Sequence, residues 1–183
     1  SALACIAIQA NQNDQHGGQS VVNFDYAMAQ GVRKTYRKRY RDNLIRALEL
    51  TCDMEDADAK IHALIDRLLD ESGLVPTLEP GEAYTFAERD ALIGMGLDAG
   101  VIERAQVFAA KKAASESDRA TYQAMEALIH NLNTMNSRAG AQVPFSSINY
   151  GMDTSPEARM VVRNLLLTTE SGLGNGETPI FPI

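Results

Sequence analysis

The sequence predicts an α/β fold dominated by helices, on three observations. Apolar residues recur at three- and four-residue steps over most of the chain, short β-prone runs follow Gly18, Val143 and Pro179, and glycine, proline or capping residues punctuate the changes of pattern. A chain of 183 residues, 45% of them hydrophobic, is expected to form one domain with a real core.

Ala2–Gln12 is apolar and alanine-rich and reads as a buried helix running into a polar turn at Asn11–Gln15. His16-Gly17-Gly18-Gln19-Ser20 then precedes the β-prone Val21-Val22-Asn23-Phe24. Two glycines before a strand let the backbone approach a ligand with no Cβ in the way. A tight helix-to-strand turn is an equally good local account, and a single histidine is more often structural than catalytic.

Arg33-Lys34-Thr35-Tyr36-Arg37-Lys38-Arg39-Tyr40-Arg41 is the one dense basic run. Interleaved tyrosines would suit nucleic acid or phosphate. Val32, Tyr36, Tyr40, Leu44 and Leu48, however, form an apolar stripe that leaves the charges in water, and a solvated face is favoured.

From Thr51 to Ser72, acidic residues between Asp53 and Asp58 precede a helical face of Ile61, Leu64, Ile65, Leu68 and Leu69, which Gly73 ends. The carboxylates lack the spacing of a calcium loop and are read as partners of the helix dipole. Leu74–Gly81, with Pro76 and Pro80, is a linker. Thr85-Phe86-Ala87-Glu88 reads as a capping box opening a short helix that Gly94, Gly96 and Gly100 interrupt. Val101–Ala114 reads as another helix, and Ser117 as the cap of the next. No catalytic constellation appears in this middle region, which is expected to serve packing and subunit contact.

Tyr122, Met125, Leu128, Ile129, Leu132 and Met135 mark an amphipathic helix leading to a loop at Asn136–Gln142. There Arg138 offers five donors in a planar fork and Gly140 permits close backbone approach; capping of the preceding helix by Arg138 explains the same residue locally. Val143–Tyr150 reads as a strand with Pro144 near its start. Thr154-Ser155-Pro156-Glu157 signals a further helix, with Met160–Leu167 as its apolar body and an end near Gly172. Gly174-Asn175-Gly176-Glu177 then turns into a strand over Thr178–Ile183.

A formal charge of −7 argues against general affinity for nucleic acid. Cys5 and Cys52 have neither disulfide-framework nor zinc spacing, and Cys5 reads as a small buried hydrophobe. No apolar run reaches the roughly 18–20 residues that span a bilayer and no signal peptide is visible, so a cytoplasmic location is the default expectation.

Three stretches, Ala7–Ser20 (AIQANQNDQHGGQS), Asp118–Asn149 (DRATYQAMEALIHNLNTMNSRAGAQVPFSSIN) and Gly172–Ile183 (GLGNGETPIFPI), resemble the large subunit of anaerobic (class III) ribonucleoside-triphosphate reductase, a glycyl-radical enzyme. The resemblance is strong over 1–31 and 118–183 and weak over 32–117. Met152 stands where the family has threonine and Ala158 where it has glycine. With no initiator methionine, an opening inside an apolar helix and an end within a strand-like run, the sequence is read as an internal segment of the reductase barrel domain, inactive alone.

The resemblance implies that the chain is part of a ten-stranded α/β barrel. By it His16, Gly17, Gly18 and Gln19 are substrate-side residues, and Ser137, Arg138, Ala139, Gly140 and Gln142 form a loop between effector and substrate. Asp25–Gly31 would be an effector-side loop. The implied activity is oxygen-free reduction of ribonucleoside triphosphates to deoxyribonucleoside triphosphates for DNA synthesis, through a glycyl radical and a cysteine thiyl radical, with formate the usual reductant. No catalytic residue, metal site or cofactor is expected in this segment; the parent's glycyl radical and zinc lie outside it, and ATP and deoxyribonucleoside triphosphates are its effectors. Implied partners are the substrate and effector nucleotides, an iron–sulfur activating enzyme using S-adenosylmethionine, and a second subunit in a homodimer, with no membrane and no nucleic acid. Uncovered strand edges also suggest self-association or rearranged packing of the isolated segment. The alternatives are a non-enzymatic helical module binding nucleic acid or protein through Arg33–Arg41, and a stand-alone regulatory paralogue.

Overall fold

The computed structural model describes residues 2–15, 17–52, 54–135, 143, 145–174 and 177–179. In chain order the elements are α1 (Ala2–Asp14), β1 (Gln19–Val21), α2 (Phe24–Cys52), α3 (Ala57–Ser72), α4 (Glu82–Gly94), α5 (Ala99–Thr134), β2 (Ser146–Ile148) and α6 (Pro156–Ser171). The protein is thus helix-dominated with one small sheet, in which β1 and β2 run parallel and pair Gln19 with Ser146, Ser20 with Ser147 and Val21 with Ile148. No helix is long and apolar enough to cross a membrane among the described residues.

The chain forms two compact units, one of Ser1–Val32 with Asp118–Ile183 and the other of Arg33–Ser117, and both boundaries fall within helices. The first unit holds the sheet. Its core joins Cys5 and Ile8 of α1, Phe24 and Val32 of α2, Met125, Leu128, Ile129 and Leu132 of α5, and Val161 and Leu165 of α6. Only one face of α1 is buried, through Cys5, Ile8 and Gln12, whereas Leu3 and Ile6 are exposed, so the expectation of a buried helix holds for that face alone. Ser155 caps α6 by accepting from the Ala158 N–H at 3.3 Å, and Pro156 occupies the first turn, where its missing N–H costs nothing. Asp118 binds α6 to α5, receiving Arg163 Nη2 at 2.7 Å and Asn164 Nδ2 at 2.8 Å.

In the second unit the predicted stripe is real: Tyr36, Tyr40, Leu44 and Leu48 are buried with Ile61, Leu64, Leu68, Tyr84, Leu92, Ile102 and Ala109, while Lys34, Arg37, Lys38 and Arg39 are exposed. Gly73 ends α3 in the left-handed conformation at φ 65°, donating to Leu69 O, as a C-terminal glycine should.

Three local expectations fail for physical reasons. Thr85 does not cap α4: the helix begins three residues earlier, after Gly81, and the Thr85 hydroxyl donates to the Gly81 carbonyl at 3.2 Å. Glu88 faces the core instead. Ser117 caps nothing, because α5 is continuous from Ala99 to Thr134 and Ser117 is buried within it. No glycine or proline interrupts Val101–Thr134 to break the helix, and its N-terminal cap is Asp98, whose Oδ1 accepts from the Gly100 and Val101 N–H groups at 2.9 and 3.0 Å. The acidic start of the third helix is shorter than expected. Asp56 sits at φ 54° ahead of Ala57 and makes no side-chain cap, leaving Asp58 as the first-turn carboxylate. Thr178 and Pro179 are not in a strand, and the rest of that expected strand lies outside the described residues.

Candidate functional site

In the first unit two stretches far apart in sequence meet along the parallel pair. The Gln19 N–H donates to the Phe145 carbonyl at 2.8 Å, one residue before the ladder proper begins on β2. A Cβ at Gly18 would lie 3.5 Å from the Phe145 carbonyl oxygen and 3.7 Å from its Cβ, ordinary contact for a methyl group but close for anything larger. Gly17 adopts φ +103°, a conformation that residues with a Cβ rarely take. The glycine pair therefore serves the turn through Gly17 and close strand approach through Gly18. Phe145 is the third residue after Gln142, so the described part of the His16–Gln19 motif abuts the lead-in from the 136–142 loop. His16 and the loop residues Ser137, Arg138, Ala139, Gly140 and Gln142 lie outside the described residues.

At the other end of the strands the pairing continues into two loops. Asn149 N–H donates to Val21 O at 2.9 Å and Phe24 N–H to Asn149 O at 3.0 Å, while Asn23 turns the chain at φ 52°. Asp25 then locks the two loops together. Its carboxylate is fully buried, and Oδ2 accepts from the Gly151 N–H at 2.8 Å and the Asp153 N–H at 3.0 Å; Oδ1 has no partner among the described residues. The Asp153 N–H holds the Asp25 carboxyl below its ordinary range, helped by Gly151 and opposed by burial. Asp153 in turn accepts from the Ser155 N–H at 2.8 Å, carrying the same chain of bonds to the cap of α6.

Asp25–Gly31 is not a loop, contrary to expectation. It forms the first turns of α2, where an acidic first turn and alanines favour helix and only Gly31 disfavours it. Asp25 thus acts as a buried clamp from a helix N-terminus. Its signal in the sequence is an acidic residue directly after the turn-forming Asn23 and apolar Phe24, which is indistinguishable from an ordinary dipole partner until the Gly151 loop is placed beside it.

Among the described residues no group of three or more His, Cys, Asp or Glu side chains is arranged to hold a metal ion. Cys5 is buried in the first unit, where burial pushes its thiol pKa up, and Cys52 is half-buried in the second. The described geometry is a glycine-lined backbone edge, two adjoining strand entries and a carboxylate that fixes the strand exits.

A helix-dominated α/β protein with this kind of site is placed in its family by comparison of the whole sequence. The family model described as "Anaerobic ribonucleoside-triphosphate reductase" matches residues 1–183, and the chain belongs to that family. It is 38% identical over 71 residues to the anaerobic ribonucleoside-triphosphate reductase of Enterobacteria phage T4, a match covering 38% of this chain and 12% of the phage protein. It is 34% identical over 71 residues to the Salmonella typhimurium protein of the same name, covering 38% of this chain and 10% of that one, and 34% identical over 69 residues to the Escherichia coli protein, covering 37% and 10%. The matched stretch spans about a tenth of the length of these relatives.

Proposed function

We propose that this chain is a nucleotide-positioning segment of an anaerobic ribonucleoside-triphosphate reductase, contributing two strands to its barrel. The observation that carries the proposal is the parallel pairing of β1 with β2, which joins the Gly17–Gln19 motif to the strand entered from the Ser137–Gln142 loop. In this reading Gly17, Gly18 and Gln19, with His16, border the substrate nucleotide. Ser137, Arg138, Ala139, Gly140 and Gln142 form the loop that passes the identity of a deoxyribonucleoside-triphosphate or ATP effector to it. Arg138 suits that task because its planar fork can hold phosphate or a base edge in two parallel hydrogen bonds.

The reaction proposed for the whole protein is reduction of a ribonucleoside triphosphate to the deoxyribonucleotide by glycyl and thiyl radical chemistry in the cytoplasm of an anaerobic cell, with zinc, an S-adenosylmethionine-dependent activating enzyme and a second subunit as the parent's requirements. The part assigned to these residues is to bind and orient the nucleotide. Asp25 keeps the strand exits in register while they do so.

Calorimetric titration of the 183-residue chain with ribonucleoside and deoxyribonucleoside triphosphates tests the binding role. Saturable binding stronger than about 1 mM, weakened at least about tenfold by Arg138→Ala, is expected. Binding that is absent, or indifferent to Arg138 and to Gly18→Val, counts against it.

A further inference from the structure

The second unit contains a cleft that the reductase reading does not use. It encloses about 270 Å³ between the linker after α3 and helices α2, α4 and α5. Three buried tyrosines are among its lining: Tyr36 and Tyr40 lie 6.1 Å apart, and Tyr84 meets Tyr40 edge-on at 6.0 Å and 76°. Two of these rings are tied to one carboxylate. The buried Glu88 carboxylate receives the Tyr40 and Tyr84 hydroxyls at 2.6 Å each and Gln106 Nε2 at 2.8 Å, and Gln106 Nε2 also reaches the Thr85 carbonyl at 3.1 Å. Pro76 and Pro80, stiff at φ, also line the cleft. Such a surface loses little conformational entropy when it is covered.

The rim carries one charge of each sign. Arg89, half-buried on α4, and Glu103, exposed on α5, both line the cleft, and neither side chain has a hydrogen bond or ion pair with another described residue. Arg89 presents a fork for a carboxylate, Glu103 an acceptor for an ammonium group, and the exposed Phe86 and Val107 an apolar surface for a ligand side chain. Size narrows the ligand further. The cleft, about 270 Å³, sits just below the roughly 300–1,000 Å³ usual for small-molecule sites, which suits a small ligand.

We propose that this cleft, lined by Phe86, Val107 and the buried tyrosine cluster together with Arg89 and Glu103, binds a small zwitterion with an aromatic or bulky apolar side chain, of which a free α-amino acid is the simplest example. The site is separate from the strand motifs of the first unit and stands whether or not those bind nucleotide.

Tyrosine fluorescence follows binding, because the chain has no tryptophan and three of its six tyrosines line the cleft. The 183-residue chain is titrated with L-phenylalanine, with phenethylamine, which keeps only the positive group, and with 3-phenylpropionate, which keeps only the negative one. L-Phenylalanine is expected to saturate, and each single-charge analogue to bind about tenfold more weakly. Arg89→Ala should weaken L-phenylalanine and 3-phenylpropionate about tenfold while sparing phenethylamine; Glu103→Ala should do the reverse for the two analogues. Both positions are on the rim, so circular dichroism should show unchanged helix content. The proposal is overturned if L-phenylalanine fails to saturate, if it binds no better than either analogue, if the two variants do not discriminate between analogues, or if ATP competes with it.

Discussion

Glu88→Ala is the most informative single substitution in the second unit. The carboxylate is the common acceptor for Tyr40, Tyr84 and Gln106, at 2.6, 2.6 and 2.8 Å. Its removal leaves Gln106 with the Thr85 carbonyl, but strands two hydroxyls on side chains that are only 5% and 4% exposed. Each orphaned buried group costs about 1–3 kcal/mol, or about 2–6 kcal/mol together, and release of an anion buried with no cationic partner offsets part of that. A net loss of about 2–4 kcal/mol follows. Glu88→Gln keeps the shape and one acceptor oxygen and should lose only about 1–2 kcal/mol. Urea denaturation followed by far-ultraviolet circular dichroism measures both. The two proteins also separate with pH. Burial raises the Glu88 pKa against the pull of its three donors, so the folded state binds the proton more tightly than the unfolded chain does. The Glu88 contribution is then fully present below the unfolded glutamate value of about 4.3 and declines as pH rises through the folded pKa, whereas Glu88→Gln has no such limb. A Glu88→Ala protein within about 0.5 kcal/mol of wild type, or a wild-type advantage over Glu88→Gln that grows over that pH range, refutes the reasoning.

Gly17→Ala should destabilise the first unit by roughly 1–3 kcal/mol through its φ of +103°, whereas Gly18→Ala, facing ordinary contacts of 3.5 and 3.7 Å, should stay within about 1 kcal/mol of wild type; thermal denaturation showing the opposite order would sink the assignment of roles. Asp25→Asn should cost about 1–3 kcal/mol by weakening charge-assisted bonds to the Gly151 and Asp153 N–H groups. Because the folded Asp25 pKa is lowered, its contribution is present above the unfolded value of about 3.9 and lost as pH falls through the folded one; acid titration of the variant should lack that loss. Ser155→Ala should cost about 0.5–1 kcal/mol, at the weak end for a cap because its bond to the Ala158 N–H is 3.3 Å long, and hydrogen exchange in the first turn of α6 reads the effect.

Periodicity served well where one physical requirement acted alone. The Val32–Leu48 stripe and the Gly73 and Ser155 helix ends were all legible, because each needs only local spacing or a backbone conformation open to few residues. Glu88 was misread because a carboxylate three residues after a threonine satisfies the capping pattern, while the rival cue, its place in the four-residue series Tyr84, Glu88, Leu92, requires accepting a charge in a core stripe. Asp25 was misread because its partners lie more than a hundred residues away, at Gly151 and Asp153, and nothing local announces a clamp. Ser117 illustrates the weakness of caps inferred without a helix break: serine is tolerated inside a long helix when tertiary packing holds it.

The two units place different demands on the sequence. The second unit, Arg33–Ser117, lies in the sequence between the two stretches that build the first. A parallel strand pair needs a crossover between its strands, but sets few terms for what that crossover contains. Closing it costs only about 0.6 kcal/mol more for each doubling of a flexible connection. A helical core asks chiefly for apolar volume at the right spacing, which many sequences supply. The paired strands ask for much more: a glycine at φ +103°, a small residue against Phe145, a three-residue register and a buried carboxylate aimed at two particular N–H groups. Those demands restrict residue identity in the first unit more than apolar packing does in the second.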